Sequence, residues 1–147
     1  MSTPHYCLGF FLSPGKTKVV LISKTKPAWQ AGLLNGVGGK VEHGEAALDA
    51  MVREFEEETG HYIGPDRWTE FTTLRSVDTF QVDCFVAQAS DEEEFAAPHR
   101  TTDEEVLRVR VSDLYDYDMI ENLRWLVPMA ADLIDSDGCV FAAVEYV

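Results

Sequence analysis

Gly39-Lys-Val-Glu-His-Gly-Glu45, a gap of seven residues, then Arg53-Glu54-Phe55-Glu56-Glu57-Glu58-Thr59-Gly60 is the stretch on which the fold turns. Within it Ala46–Thr59 carries Leu48, Met51, Val52 and Phe55 at the i, i+3, i+4, i+7 spacing of an amphipathic helix. Gly60 follows as a natural C-cap. At about 100° per residue, Glu57 lies at about −60° from Glu54 and Glu58 at about +40°, so three carboxylates share one strip. The apolar stripe opens at about +60° with Met51, so this strip borders the buried face, where water is scarcer. Like charges at these spacings repel by roughly 0.2–0.5 kcal/mol per pair, at the helix end where the dipole disfavours anions. A hard divalent cation, Mg²⁺ or Mn²⁺, suits such an all-oxygen cluster. The alternative is a solvated acidic face with Arg53 as a partial counter-ion.

Around this segment the charge is uneven. The 147 residues contain 26 acids and 12 bases, a net charge of −14. Five lysines (16, 18, 24, 26, 40) and no acid precede residue 41, and the remainder sets 26 acids against 7 arginines. Such a charge repels phosphate backbones and anionic lipid, which argues against nucleic-acid or membrane partners. An apolar fraction of 46% suits one globular domain over residues 1–147. Cys7, Cys84 and Cys139 are odd in number and far apart, so they read as small buried hydrophobes in a reducing, cytoplasmic setting. The apolar run at 7–12 is too short for a signal core or a span.

Tyr6–Leu12 and Val19–Ser23, joined by Ser13-Pro14-Gly15-Lys16, predict a β-hairpin. Residues 24–44, with five glycines, predict a structured loop. Strands are expected at Phe71–Val77, Thr79–Gln88, Val106–Val111 and Val140–Val147, with an acidic loop over Asp91–Asp103. Asn122–Ile134 predicts a second helix, with Pro128 a point of kinking or a sign of a later start. Two helices flanking a mixed sheet make an α/β sandwich.

The opening segment resembles the Nudix box, GX5EX7REUXEEXGU, with Gly39, Glu45, Arg53, Glu54, Glu57, Glu58 and Gly60 on its fixed positions over residues 39–61. Phe55 is bulkier than the usual aliphatic residue, and His61 stands where an apolar one is expected; Tyr62 and Ile63 follow as substitutes. The resemblance implies a Nudix α/β/α sandwich and hydrolysis of a nucleoside diphosphate linked to another group. It implies Mg²⁺ on Glu54, Glu57 and Glu58, with Glu54 the preferred base and a carbonyl at Gly38 or Gly39 a further ligand. It also implies that Arg53 orients the glutamates and that Glu45 anchors the cluster.

Gly32-Leu-Leu-Asn-Gly-Val-Gly-Gly-Lys-Val-Glu42 is similar to the GxWNGFGGKVE segment of the oxidised-purine nucleoside triphosphatase branch, with Leu34 and Val37 replacing its aromatics. This makes Asn35 a base-recognition candidate, the alternative being a plain turn asparagine. Asn122 or Glu121 matches a second base-contacting position in MutT-like enzymes; the competing expectation is that Asn122 caps the helix. Glu104, in Thr102-Asp103-Glu104-Glu105, resembles a further metal-binding or catalytic glutamate, against a solvated acidic loop. Lys40 is the expected partner of a leaving pyrophosphate, with Lys24 and Lys26 as other phosphate contacts. Trp29 borders the base pocket or joins the core, while Tyr115, Tyr117 and Trp125 are assigned to the core. The implied activity is Mg²⁺-dependent conversion of a nucleoside triphosphate to monophosphate and pyrophosphate, with oxidised purines preferred. Hydrolysis of ADP-ribose, a dinucleoside polyphosphate or a capped nucleotide, and a sensor without turnover, are the rivals. A monomer or homodimer is expected.

Overall fold

The computed structural model describes residues 3–136 and 141–147. Strand β1 (His5–Leu12) and strand β2 (Lys18–Ser23) form the expected hairpin, pairing antiparallel as Phe11↔Val20 and Leu12↔Val19. Ser13 closes the turn, its Oγ accepting from the N–H groups of Thr17 and Lys18 at 3.2 and 3.0 Å. The following strands are β3 (Leu34–Asn35), β4 (Val37–Lys40), β5 (Thr69–Ser76), β6 (Phe80–Gln88), β7 (Glu105–Arg110) and β8 (Ala142–Tyr146). Their order is β3-β2-β1-β6-β5-β8, with β4 also on β1 and β7 also on β2. The sheet is mixed: β1 runs parallel to β6, and β5 parallel to β8, while the other pairs are antiparallel.

Alternation along the strands makes the layers. Cys7, Phe11, Val20, Ile22, Phe85 and Ala87 face helix α1 (Ala47–Thr59) and bury Met51 and Phe55. Leu8, Phe10, Leu12, Val19, Leu21 and Val86 face helix α3 (Leu123–Leu133) and bury Leu123, Leu126 and Val127. The fold is thus the expected α/β/α sandwich. Gly60 ends α1 in the left-handed conformation at φ 73°, its N–H bonded to the Glu56 carbonyl at 2.8 Å. Ile63, fully buried beside Phe55, supplies the apolar contact that His61 does not.

Several expectations need correction. Residues 24–44 are more regular than a loop, since β3 and β4 both lie there and β4 pairs with β1 from Tyr6↔Lys40 to Gly9↔Val37. The acidic stretch 91–103 contains a short helix, α2 (Glu92–Phe95), because the Asp91 side chain caps the Glu94 N–H at 2.8 Å and Phe95 is buried. Pro128 neither delays nor interrupts α3; it forfeits one backbone bond inside a helix whose apolar face holds it in place. Asn122 does not cap that helix: its backbone is already helical and its side chain makes no capping bond. Nor are Trp29 (69% exposed), Tyr115 (79%), Tyr117 or Trp125 core residues. Tyr115 instead lies under the Arg124 guanidinium, 5.1 Å from the ring centroid. Cys7 and Cys84 are buried thiols, and burial pushes Cys7 up to about 12; Cys139 and Val140 lie outside the described residues. No helix among the described residues is long and apolar enough to cross a membrane.

Candidate active site

Strand β4 carries Gly38 and Gly39 past β1 on one side and α1 on the other. A Cβ on Gly38 would collide with the Cys7 carbonyl oxygen, and one on Gly39 would lie 2.5 Å from the Glu54 carboxyl carbon. Glycine is what lets the Glu54 carboxylate rest against this strand.

Arg53 organises the acids. Its Nε and Nη2 donate to the two oxygens of Glu45 at 3.0 and 2.9 Å, a bidentate pair. Nη1 donates to Glu54 at 2.9 Å and to Glu57 at 3.4 Å, and Nη2 also reaches the Lys40 carbonyl at 3.1 Å. The Glu45 bond holds the guanidinium above its ordinary pKa, and the same bond holds the Glu45 carboxyl below its own. Glu54 moves the other way: burial pushes its carboxyl up, more than Arg53 pulls it down. Burial also raises Glu58, helped by the charge of Glu104. Glu104, only 4% exposed, accepts from Lys24 Nζ at 3.2 Å and from the Thr25 N–H at 2.8 Å. Five carboxylates (Glu45, Glu54, Glu57, Glu58, Glu104) therefore share two cations, Arg53 and Lys24.

Among the described residues no three acidic, histidine or cysteine side chains already converge in metal-ligand geometry, since Arg53 draws Glu54 and Glu57 toward itself. The donor set nonetheless fits a hard divalent cation. It is all oxygen, it carries surplus negative charge, and Glu58 Oε2 is buried with no hydrogen-bond partner.

Beside the glycines opens a cleft of about 590 Å³. Gly38, Gly39, Lys40 and Lys24 line it together with Trp29, Phe80, Asn122 and Tyr146, with Asn35 and Gln30 also in the wall. The NUDIX domain family profile matches residues 3–137. The chain belongs to the Nudix family, whose hydrolases act on phosphoric anhydride bonds. A Nudix hydrolase of Bacillus subtilis, YvcI, is 44% identical over 46 residues, which cover 31% of this chain and 27% of that protein. The chain thus spans about a quarter of the length of the curated relative it matches. A MutT structure from the Aliivibrio salmonicida and Vibrio cholerae pair superposes with a TM-score of 0.72 at 26% identity, over 89% of this chain and 99% of that one. The NUDIX domain of Shewanella oneidensis NrtR, complexed with ADP ribose, gives 0.73 at 14% identity over 91% and 90%.

The Nudix site brings together most of the residues singled out by sequence. Arg53, Glu45, Glu54 and Glu57 form one network, and Glu58 lies near Glu104. Asn35 ends strand β3 rather than sitting in a turn; its Oδ1 accepts from the Gly36 N–H at 2.8 Å, and the residue lies in the cleft wall. Its Nδ2 donates to Gln30 Oε1 at 3.2 Å. Glu121 is exposed and borders an adjoining hollow with Trp29, Leu33 and Met119 rather than the cleft itself. Sequence reasoning missed Gln30, Phe80 and Tyr146; Gln30 lies in the short turn before β3, whereas Phe80 and Tyr146 reach the cleft through long-range pairing of β5, β6 and β8.

Proposed function

We propose that this Nudix domain, read as a single unit over residues 1–147, is a Mg²⁺-dependent pyrophosphohydrolase. It converts a nucleoside triphosphate to the monophosphate and pyrophosphate, and prefers oxidised purines such as 8-oxo-dGTP. The observation that carries the reading is the cleft, whose wall combines Gly38, Gly39, Lys40 and Lys24 with aromatic rings and amides, while the Glu54 carboxylate rests against Gly39. Its volume lies within the roughly 300–1,000 Å³ usual for small-molecule sites. Likeness to a MutT over nearly the whole of that chain supports the triphosphate. The buried Cys7 and Cys84 thiols support a reducing, cytoplasmic setting, and the working unit is a monomer or homodimer.

Glu54, Glu57 and Glu58, with Glu104 and the Gly38 carbonyl, would hold the cation, which when bound supplies charge neutralisation at the phosphate oxygens. Arg53 holds Glu54 and Glu57 in place from the Glu45 anchor. Glu54 is the base: its carboxylate rests against Gly39, is held by Arg53, and burial raises its carboxyl, which makes it the better proton acceptor. Lys40, on the glycine strand, meets the leaving pyrophosphate, and Gly39 gives its backbone room to approach. Asn35 and Asn122 read the base, with Glu121 at the rim.

Pyrophosphate release is measured with Mg²⁺ across dGTP, 8-oxo-dGTP and dATP, alongside hydrolysis of ADP-ribose, the ligand of the NrtR domain. Pyrophosphate from a triphosphate is the expected result, strongest with 8-oxo-dGTP; turnover of ADP-ribose alone would favour the second reading. Glu57→Gln should reduce turnover by more than about 100-fold, the upper range for groups that only support a metal ligand. Full activity in that variant would defeat the metal assignment.

A further inference from the structure

Lys24 stands between the carboxylates and the cleft. Its Nζ donates to Glu104 Oε1 at 3.2 Å, its side chain is 17% exposed, and it lines the cleft wall together with Gly38 and Gly39. Its backbone is fixed: the N–H donates to the Leu33 carbonyl and the carbonyl accepts from the Gly32 N–H, both at 2.9 Å. The ammonium therefore moves by rotation of its four-carbon stem alone. Glu104 is anchored without it, since Oε2 accepts from the Thr25 N–H at 2.8 Å and its own N–H donates to Thr102 Oγ1 at 3.0 Å. The carboxylate stays in place when the ammonium leaves.

One ammonium serves two carboxylates here. Glu58, on α1, lies close enough for its ionisation to respond to the charges of both Glu104 and Lys24, and its Oε2 has no partner among the described residues. A divalent cation on these oxygens brings twice the charge of an ammonium and repels one at the same place. We propose that Lys24 is an exchangeable counter-ion: it holds Glu104 in the metal-free protein, and turns into the cleft to meet a phosphate when a divalent cation takes its place. The proposal deepens the nucleotide reading and rests on it. Cation and nucleotide then favour one another's binding by the same factor, with no movement of the backbone. The opposing arrangement is a fixed tie, in which Lys24 braces Glu104 whatever else is bound.

Acetylation by a soluble amine-reactive ester reads the exchange in the wild-type protein, without nucleotide. With each lysine followed by mass spectrometry, Mg²⁺ should raise the labelling of Lys24 severalfold and leave the exposed Lys26 unchanged. Inorganic pyrophosphate, with Mg²⁺ kept in excess, should lower it again as Lys24 closes on phosphate. Calorimetric titration with Mg²⁺ alone is the second measurement. Lys24→Met keeps the stem and removes the competing ammonium, so it should bind Mg²⁺ about fivefold tighter, the low end of coupling between two sites. Lys26→Met loses the same charge from an exposed position and should change the affinity by less than about twofold. Labelling of Lys24 that ignores Mg²⁺, or that stays high with pyrophosphate, overturns the proposal. So does weaker Mg²⁺ binding in Lys24→Met, the mark of a fixed tie, or equal tightening in both variants. A Mg²⁺-dependent rise in labelling with no pyrophosphate released from any triphosphate keeps the exchange and removes the pyrophosphohydrolase reading. Pyrophosphate release with an unresponsive Lys24 does the reverse.

Discussion

Two networks of arginine and glutamate flank the end of α1, and they are built on opposite principles. In the one behind the helix, Arg67 donates to both oxygens of Glu94 at 2.6 and 2.8 Å, and the carboxylate also accepts from the Ser90 N–H at 2.7 Å and meets His61 at 3.0 Å. The spare Arg67 donor goes to the Gln88 carbonyl at 2.9 Å. Charge and hydrogen-bonding capacity are matched, and Arg67 holds the Glu94 carboxyl far below the usual carboxylate range. In the other, around Arg53, acids outnumber cations, burial pushes Glu54 and Glu58 up, and an oxygen of Glu58 has no partner. The first network ties α2 to the sheet and is complete as it stands. The second leaves repulsion and an unmet oxygen that a cation would relieve. Surplus charge, rather than charge, marks the site.

The contrast breaks most sharply at the two glycines. Gly39→Ala places a Cβ against the Glu54 carboxylate, the movable end of a side chain. The fold should survive while hydrolysis falls by about 100-fold, the scale of a 1 Å displacement of a catalytic group. Gly38→Ala instead meets the backbone carbonyl of Cys7, which cannot swing away, so it should lower the melting temperature as β4 is forced off β1. Parallel melts and pyrophosphate assays test the pair. Undiminished turnover in Gly39→Ala would remove Glu54 from the chemistry.

The closed network should fail in stability alone. Glu94→Gln removes the charge that Arg67 and the Ser90 N–H converge on, at a cost of about 1.5–3 kcal/mol, the range for hydrogen bonds to charged groups. Because the folded carboxyl is depressed from its ordinary 4.5, its contribution is fully present above that value and is lost as pH falls toward the depressed one. Urea titrations should therefore show a gap between wild type and variant near neutrality that narrows in acid. A gap that persists unchanged in acid would mean that packing, not charge, holds α2 in place.

How far the sequence reached differs between the carboxylate network and the cleft wall for a physical reason. The Arg53 network lies within Gly38–Gly60, where helical periodicity places Glu54, Glu57 and Glu58 together, and the Nudix resemblance adds Arg53, Glu45 and the glycines. These are local relations, and the sandwich of two helices around a mixed sheet followed from similarly local patterns. Phe80 and Tyr146 are brought into the cleft wall by strand pairs distant in sequence. Asn122 reads as a cap because it precedes an apolar helix, and nothing nearby announces that Tyr146, 24 residues on, takes its amide. Trp29 and Tyr115 look like core on composition, but exposure is decided by which face of their turn meets another layer. The short helix at Glu92–Phe95 was hidden by its own acidity, since the capping Asp91 and the buried Phe95 are single residues in a charged run.

The finest test of open against closed is Glu58→Gln. Glu58 has its carboxyl raised by burial, so folding favours its neutral form. The stability it lends is present below the ordinary 4.5 and is lost as pH rises through the raised value, so near neutrality the ionised group is a burden. Replacing it should raise the metal-free melting temperature by about 1–3 °C, a change of under 1 kcal/mol in a domain of this size. The same change should blunt the stabilisation that Mg²⁺ gives the wild-type protein by binding the folded state. Glu94→Gln, by contrast, should lower the metal-free melting temperature and leave the Mg²⁺ increment intact, because that carboxylate has no unmet oxygen to offer. If Glu58→Gln melts below wild type without metal, or if both variants keep the full Mg²⁺ response, the orphaned oxygen is no ligand and the two networks are alike after all.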